Sequence, residues 1–252
     1  MRLLRSRPLL STVLLSLVVT AAGIAIGLAI DWFPTQADTA ATKIDTLWDV
    51  LLIASVPIFV LVMAVALYCV IVFRARPGDT GDGAPIHGNT RLEIIWVTIP
   101  FVIVTALGSY AWIVLDEIEA KEADALIVNV TSRQFAWSFS YEEGGEVKSG
   151  RLYLPKDRQA EFRVRTKDVL HSFWVPAFRL KTDAVPGLTT NIRLTPNRLG
   201  SYPIVCAELC GLGHATMRSA VRVMPPAKFD AWLAKRRKDA GSDAASATDS
   251  KG

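Results

Sequence analysis

Three long uncharged stretches, residues 8–30, 50–73 and 94–115, set the first limit on what this chain can fold into. Each is long enough, at about 1.5 Å of rise per helical residue, to cross a hydrocarbon layer of about 30 Å. They also explain why 51% of the 252 residues are apolar, more than an ordinary soluble protein carries. What remains has room for one globular domain. The formal charge of +4 is modest and no basic run is interleaved with aromatics, so nucleic acid is excluded as a partner and lipid is expected.

The first stretch allows two interpretations. Arg2, Arg5 and Arg7, an apolar run and the small residues Ala21, Ala22, Gly23, Ala25, Gly27 and Ala29 suit a secretory signal. Its apolar part exceeds the roughly 7–15 residues usual for such signals, so an uncleaved helix is equally compatible. Either way, Asp31 emerges on the outer side. The next two stretches are joined by a short polar loop with Arg74, Arg76 and Arg91 at the membrane edges. Positive residues beside span ends mark the cytoplasmic face, so the pair forms a hairpin and everything after Leu115 is exported. Pro57 and Pro100 fall inside the spans, where neighbouring helices tolerate a local break.

Beyond the hairpin the hydrophobic period changes from helical to two. Leu126, Val128 and Val130 alternate with polar or small neighbours, as do Phe135, Trp137, Phe139 and Tyr141. Further runs at 160–166, 189–194, 201–206 and 218–224 are punctuated by Pro and Gly, and a turn is expected at Glu142 to Gly145. Short strands at this spacing predict an antiparallel sandwich or small barrel, with the aromatic stripe mainly in its core. The chain thus divides into residues 1–30 (signal or extra helix), 31–120 (hairpin, spans about 48–73 and 93–115), 121–226 (exported β domain) and 227–252. In the last part Lys228 to Lys238 suits a short basic helix, and the Ala-, Ser- and Asp-rich tail from Asp239 shows no apolar pattern and is expected to be disordered.

The chemistry is concentrated between Cys206 and Met217, which read Cys-Ala-Glu-Leu-Cys-Gly-Leu-Gly-His-Ala-Thr-Met, with His171 upstream. Soft thiolates with imidazoles select copper or zinc, and a methionine favours copper. A mononuclear blue-copper site needs one cysteine, so the second thiol suits two coppers sharing bridging thiolates. Two rivals remain. An exported cysteine pair is usually a disulfide, which leaves His171, His214 and Met217 unexplained. A structural zinc site of two cysteines and two histidines has no use for Met217.

These residues carry a family resemblance. The C-x-E-x-C-x3-H-x2-M segment, preceded by Asp168-Val169-Leu170-His171-Ser172-Phe173 and by Lys181-Thr182-Asp183-Ala184-Val185-Pro186-Gly187, resembles cytochrome c oxidase subunit II. Leu92-Glu93-Ile94-Ile95-Trp96-Val97-Thr98-Ile99-Pro100 is similar to the start of that family's second span, and the likeness covers roughly residues 31–226. The resemblance implies a membrane-anchored all-β protein: a transmembrane hairpin followed by a cupredoxin-like Greek-key β-barrel, in a bacterial plasma membrane with the barrel outside. It implies a binuclear copper centre, CuA, with Cys206 and Cys210 as bridging thiolates. His171 and His214 would each cap one copper, Met217 would be a weak axial ligand, and Glu208 would lend its backbone carbonyl. The Glu208 carboxylate would face magnesium shared with the catalytic subunit. Cytochrome c would be the donor, and haem in the haem–copper subunit I the acceptor. Oxygen reduction and most proton pumping would occur in that partner.

Two further residues have double roles. Thr90-Arg91-Leu92-Glu93 is a capping box, with Glu93 reaching back to an orphan amide. In the family, a glutamate here lies at the cytoplasmic mouth of a proton channel, and a span's edge suits either role. The family's commoner Gln-Trp-x-Trp reads Gln134-Phe135-Ala136-Trp137 here, so Phe135 replaces the usual tryptophan and the electron path runs by Phe135 or Trp137. Glu142, Glu143 and Glu146 form an acidic turn suited to a basic cytochrome or simply to solvent. Cys69 is expected as a small apolar residue and His87 as a solvated one. The chain lacks C-x-x-C-H and so carries no covalent haem.

Other classes stand beside this expectation. A quinol oxidase subunit II uses the same scaffold without copper and should lack the ligands. A copper carrier or assembly protein needs an exchangeable site and no glutamate-headed span. A nitrous oxide reductase type of CuA module is soluble and fused to a larger domain.

Overall fold

The computed structural model describes residues 2–75, 77–78, 81, 83, 85–143 and 147–249, with side chains described for residues 9–240 of these. Arg76, Gly145 and Glu146 lie outside the described residues, as do the side chains of Arg2, Arg5, Arg7 and Pro8. The chain divides into a helical unit, Met1–Trp32 with Thr46–Ile113, and a β unit, Phe33–Asp45 with Val114–Gly252.

Three helices carry the apolar stretches: α1 (Arg2–Ala29), α2 (Thr39–Val72) and α3 (Thr90–Glu119). All three are long and apolar enough to cross a membrane. Their flanks expose Phe59, Ile71, Trp96 and Phe101, the reverse of a water-soluble surface. Helix α1 lies on α2 through small residues: a Cβ at Gly27 would come within 2.9 Å of Leu52, and one at Gly23 within 3.0 Å of Val56. Without a hydrophobic drive in lipid, such close approach supplies the packing. Trp32 adds a hydrogen bond from its indole N–H to the Gly27 carbonyl (2.8 Å).

The cap of α3 differs from the expected one. Asn89, not Thr90, accepts from the orphan amides, with Oδ1 3.1 Å from Arg91 N and 3.2 Å from Leu92 N. Glu93 Oε1 in turn accepts from Asn89 N at 3.2 Å. Asparagine outranks threonine at this position, which moves the box back by one residue. Cys69 and His87 are both exposed.

In the β unit, β1 (Leu126–Arg133), β2 (Ala136–Tyr141), β3 (Val147–Ser149), β5 (Ala160–Thr166) and β8 (Thr190–Leu194) form one sheet in the order β3-β2-β1-β5-β8. The second, ordered β4-β10-β9-β6-β7, contains β4 (Leu152–Pro155), β6 (His171–Val175), β7 (Leu180–Ala184), β9 (Gly200–Cys206) and β10 (Arg218–Met224). The two sheets make the cupredoxin-like sandwich, but not a purely antiparallel one: β1 runs parallel to β5, and β4 parallel to β10. Alternation reports which face a side chain takes and is blind to strand direction. Phe173 of the second sheet packs its ring edge against Trp137 (5.5 Å) and Phe139 (6.3 Å) of the first. Tyr141 ties the sheets with its hydroxyl, accepting from Tyr153 N (2.7 Å) and donating to Tyr153 O (2.9 Å). Phe135 departs from the expected core stripe. It belongs to the two-residue turn between β1 and β2 and is 40% exposed, whereas Trp137, Phe139 and Tyr141 are buried.

Helix α4 (Pro226–Asp249) covers the base of the core with Phe229 and Leu233, both buried, and with Trp232, 4.4 Å from the Tyr153 ring. Instead of the expected disordered tail, its helical backbone continues past Asp239, where the apolar pattern stops, to Asp249, because alanine favours helix without any packed face. The start of α2 and the residues just before it are also pinned to the sandwich. Arg179 Nε and Nη2 grip the two Asp45 oxygens at 2.7 and 2.9 Å, and its guanidinium lies 4.8 Å over the Phe33 ring. Asp38 is wholly buried, accepts from Thr195 N at 2.9 Å, and leaves Oδ2 without a partner among the described residues.

Candidate metal centre

One end of the sandwich gathers the soft donors. His171 opens β6 and Cys206 closes the adjacent β9; both are buried. From Cys206 the chain leaves the sheet, makes a short 3-10 turn at His214–Thr216, and re-enters as β10 at Arg218. Cys206 N donates to Met217 O (3.2 Å), which closes the loop at its base, and Ala207 N donates to Ser172 O (3.0 Å), which pins it to β6. Side chains spread over 46 sequence positions thus meet because their strands are neighbours in one sheet.

The two sulfurs lie 3.8 Å apart and both cysteines are free thiols. A disulfide needs about 2.05 Å, so this spacing is not that of a bridge. Cys206 Sγ is 3.8 Å from His171 Nδ1, while Cys210 Sγ is 3.8 Å from both His214 Nδ1 and Met217 Sδ. The Glu208 carbonyl lies 3.2 Å from Cys206 Sγ. Thiolate and imidazole donors held about 2.0–2.3 Å from a common ion sit roughly 3.3–3.8 Å from each other. The donor atoms of His171, Cys206 and Cys210 all fall within 4.8 Å of one another, so these residues fit a soft metal. Met217 is fully buried against them and His214 is half-buried at the rim. Burial, the hydrogen bond shared with Cys206 and the closeness of that second thiol push the Cys210 thiol up to about 11. Two adjacent thiolates are thus unfavourable by themselves, and a bound cation reverses that preference.

Several supporting residues carry no sequence signal of their own. Asp168 Oδ1 lies 2.9 Å from His171 Nε2. Burial pushes that carboxyl upward, but hydrogen bonds from Gln134 N, the His171 ring, Val169 N and Thr166 outweigh it and hold it well below the usual carboxylate range. Gln134 donates through Nε2 to the Cys210 carbonyl at 2.6 Å, joining the β1–β2 turn to the cysteine loop. Two glycines allow that approach. A Cβ at Gly213 would fall 2.5 Å from the Phe135 ring; one at Gly211, which has φ +128°, would fall 2.9 Å from Gln134 Nε2. An aspartate three residues before a candidate ligand histidine is the one clue that a sequence reading has to Asp168.

The expected electron-path residues separate. Trp137 is buried edge-on to His171, with centroids 6.2 Å apart, whereas Phe135 lies on the outside of the loop. Glu142 and Glu143 are at the far end of β2, paired with Arg163 (2.7 Å) and with Arg158. Six residues of strand at about 3.3 Å each put roughly 20 Å between them and the Phe135 turn. Glu93 belongs to the helical unit and its cap.

Residues 146–224 match the family described as cytochrome c oxidase subunit II, periplasmic domain, and residues 24–114 match its transmembrane domain. Cytochrome c oxidase subunit 2 of Synechocystis is 31% identical, covering 88% of this chain and 81% of that protein. The subunit 2 of Thermostichus vulcanus is 32% identical, covering 88% and 83%. A probable quinol oxidase subunit 2 of Staphylococcus saprophyticus is 32% identical over 72% of this chain and 50% of that protein. Among solved structures, the periplasmic domain of subunit II of cytochrome oxidase from Bradyrhizobium japonicum has 28% identity and a TM-score of 0.45, covering 47% of this chain and 97% of that one.

Proposed function

The chain belongs to the cytochrome c oxidase subunit II family, and on that basis we propose that it is the electron-transfer subunit of a proton-pumping terminal oxidase. It accepts electrons from cytochrome c and passes them to haem in the catalytic subunit, where oxygen is reduced to water. Cys206, Cys210, His171, His214, Met217 and the Glu208 carbonyl would hold a binuclear copper centre. When bound, such a centre supplies a one-electron relay whose charge is shared by two metals in a covalent core. The observation that carries this reading is the pair of free thiols 3.8 Å apart, each with an imidazole nitrogen at 3.8 Å.

The protein's own part is to fix geometry before any electron arrives. Strands β6 and β9 hold His171 and Cys206 on a rigid frame, the loop closure at Met217 limits the travel of Cys210, and burial keeps water from the thiols. A site that does not have to rearrange adds little reorganisation to a transfer. The Glu208 side chain, which is half-buried, would face magnesium at the boundary with the catalytic subunit. Glu93, at the start of α3, takes a proton-entrance role in addition to capping. The β unit lies outside the bacterial plasma membrane, with α2 and α3 crossing it as a hairpin.

Electron paramagnetic resonance of the full-length, copper-loaded protein tests the reading. Hyperfine splitting shared by two copper nuclei is expected, and Cys206→Ser or Cys210→Ser abolishes it. A one-copper pattern in the native protein defeats the proposal. The similarity to a probable quinol oxidase subunit keeps a copper-free docking role as the second reading, and failure to take up copper at all selects it.

A further inference from the structure

One basic feature of the chain plays no part in the metal centre. Lys235, Arg236, Arg237 and Lys238 are consecutive residues of α4, and all four are exposed. At about 3.6 residues per turn they encircle the helix, so any surface alongside meets some of them. Phe229, Trp232 and Leu233 pack the start of α4 onto the sandwich, whereas the side chains of residues 234–240 are exposed. A helical length with nothing packed beneath it is marginal in water, so it gains order from any surface its side chains can hold. Lys228 adds a fifth cation. The carboxylates of α4 are Asp230, before the basic turn, and Asp239, Asp243 and Asp249, after it. Positive charge is therefore concentrated in a single turn.

The place of this helix is the second observation. Strand β10 leaves the cysteine loop and ends at Met224, so α4 starts at the end of the sandwich away from the thiols. There, Lys156 N donates to the Met224 carbonyl at 2.9 Å. The same loop holds the connection that leaves α3: Arg158 Nε donates to the Asp124 carbonyl (3.1 Å) and Gln159 Nε2 to the Ala120 carbonyl (2.9 Å). Arg158 is also surrounded by the charges of Glu143, Asp124 and Asp230, which accounts for the acidic groups beside the start of α4. Helix α3 ends at Glu119. Five residues of chain reach at most about 18 Å, so the start of α4 is tethered close to the end of a span.

We propose that the basic turn of α4 docks on anionic lipid headgroups, the phosphates of the membrane that α2 and α3 cross. Clusters of Lys and Arg close to a span attract acidic lipid. The tether favours this surface over a dissolved acidic protein, because it keeps the lipid at high effective concentration.

The test places the full-length protein in nanodiscs of phosphatidylcholine, with or without phosphatidylglycerol, and follows amide hydrogen exchange along α4. Exchange over residues 234–249 is expected to slow about tenfold in the anionic discs and to recover at high salt. Lys235→Gln, Arg236→Gln, Arg237→Gln and Lys238→Gln together should remove the difference. The fourfold variant keeps the packed residues, so exchange over residues 226–233 and Tm in neutral discs should not move. Equal exchange of the native protein in both discs overturns the proposal, and so does slowing that the variant retains. Slowing that needs the assembled oxidase, whatever the lipid charge, assigns the turn to an acidic neighbouring subunit and also overturns it. The copper resonance reports separately on the electron-transfer reading, which none of these outcomes touches.

Discussion

The Nε2 of His171 lies 2.9 Å from Oδ1 of Asp168 at a site where the imidazole is fully buried. An ionised carboxylate is acceptor only, so it takes the Nε2–H and leaves the Nδ1 lone pair directed at Cys206, 3.8 Å away. Partners of this kind fix the tautomer and ring orientation of a metal-binding histidine. Asp168→Asn is therefore expected to lower copper affinity about 10–100-fold, measured by competition with a chelator. Unchanged affinity rules out this orienting role.

Gly213 is a steric prediction. Its Cβ would overlap the Phe135 ring at 2.5 Å, so Gly213→Ala has to push the ring or the loop aside. A loss of about 1–3 kcal/mol in stability is expected, read as a lower Tm of the full chain in detergent. Phe135→Ala in the same chain should recover most of that loss, because the clash has two partners. Additive losses contradict the contact.

Arg179 and Asp45 fasten the N-terminal end of α2 to the sandwich. The arginine side chain is 5% exposed, and its guanidinium also reaches the Pro34 and Pro176 carbonyls at 2.8 and 3.0 Å. Removing one partner leaves the other charge uncompensated, so Asp45→Ala should cost about 2–4 kcal/mol. Chemical denaturation of the full chain measures it. A cost under about 0.5 kcal/mol, the level of an exposed pair, refutes the role.

Asp38 makes stability depend on pH. Burial pushes its carboxyl from 3.8 up to about 6, against the lowering effect of the Thr195, Ala40 and Thr39 amides. The folded state therefore holds this proton more tightly than the unfolded chain. Its contribution is fully present below about pH 4 and is lost as pH rises through about 6. Asp38→Asn keeps a capping side chain, and is expected to flatten this part of the profile and stabilise the protein by about 2–3 kcal/mol at pH 7. Parallel Tm–pH curves for the two proteins between pH 4 and 7.5 contradict the assignment.

Composition and period alone determined the classes of structure: long uncharged runs have to become helices, and an alternating run has to become a half-buried strand. The order Cys206, Cys210, His214, Met217 was likewise legible, because a single loop between two neighbouring strands keeps its residues together whatever the rest does. Tertiary structure decided matters that pattern does not encode. Strand direction was one, since β1 pairs parallel with β5 and alternation is the same either way. Phe135 was another: it shares the spacing of Trp137, Phe139 and Tyr141, yet the chain reverses at Gln134-Phe135 and turns the ring out over Gly211 and Gly213. The meeting of His171 with Cys206 depends on β6 lying beside β9, and the support from Asp168 and Gln134 depends on a third loop reaching the same end. Local spacing constrains residues a few positions apart, whereas contacts across 35 or 76 positions exist only once the two sheets have closed on their shared core.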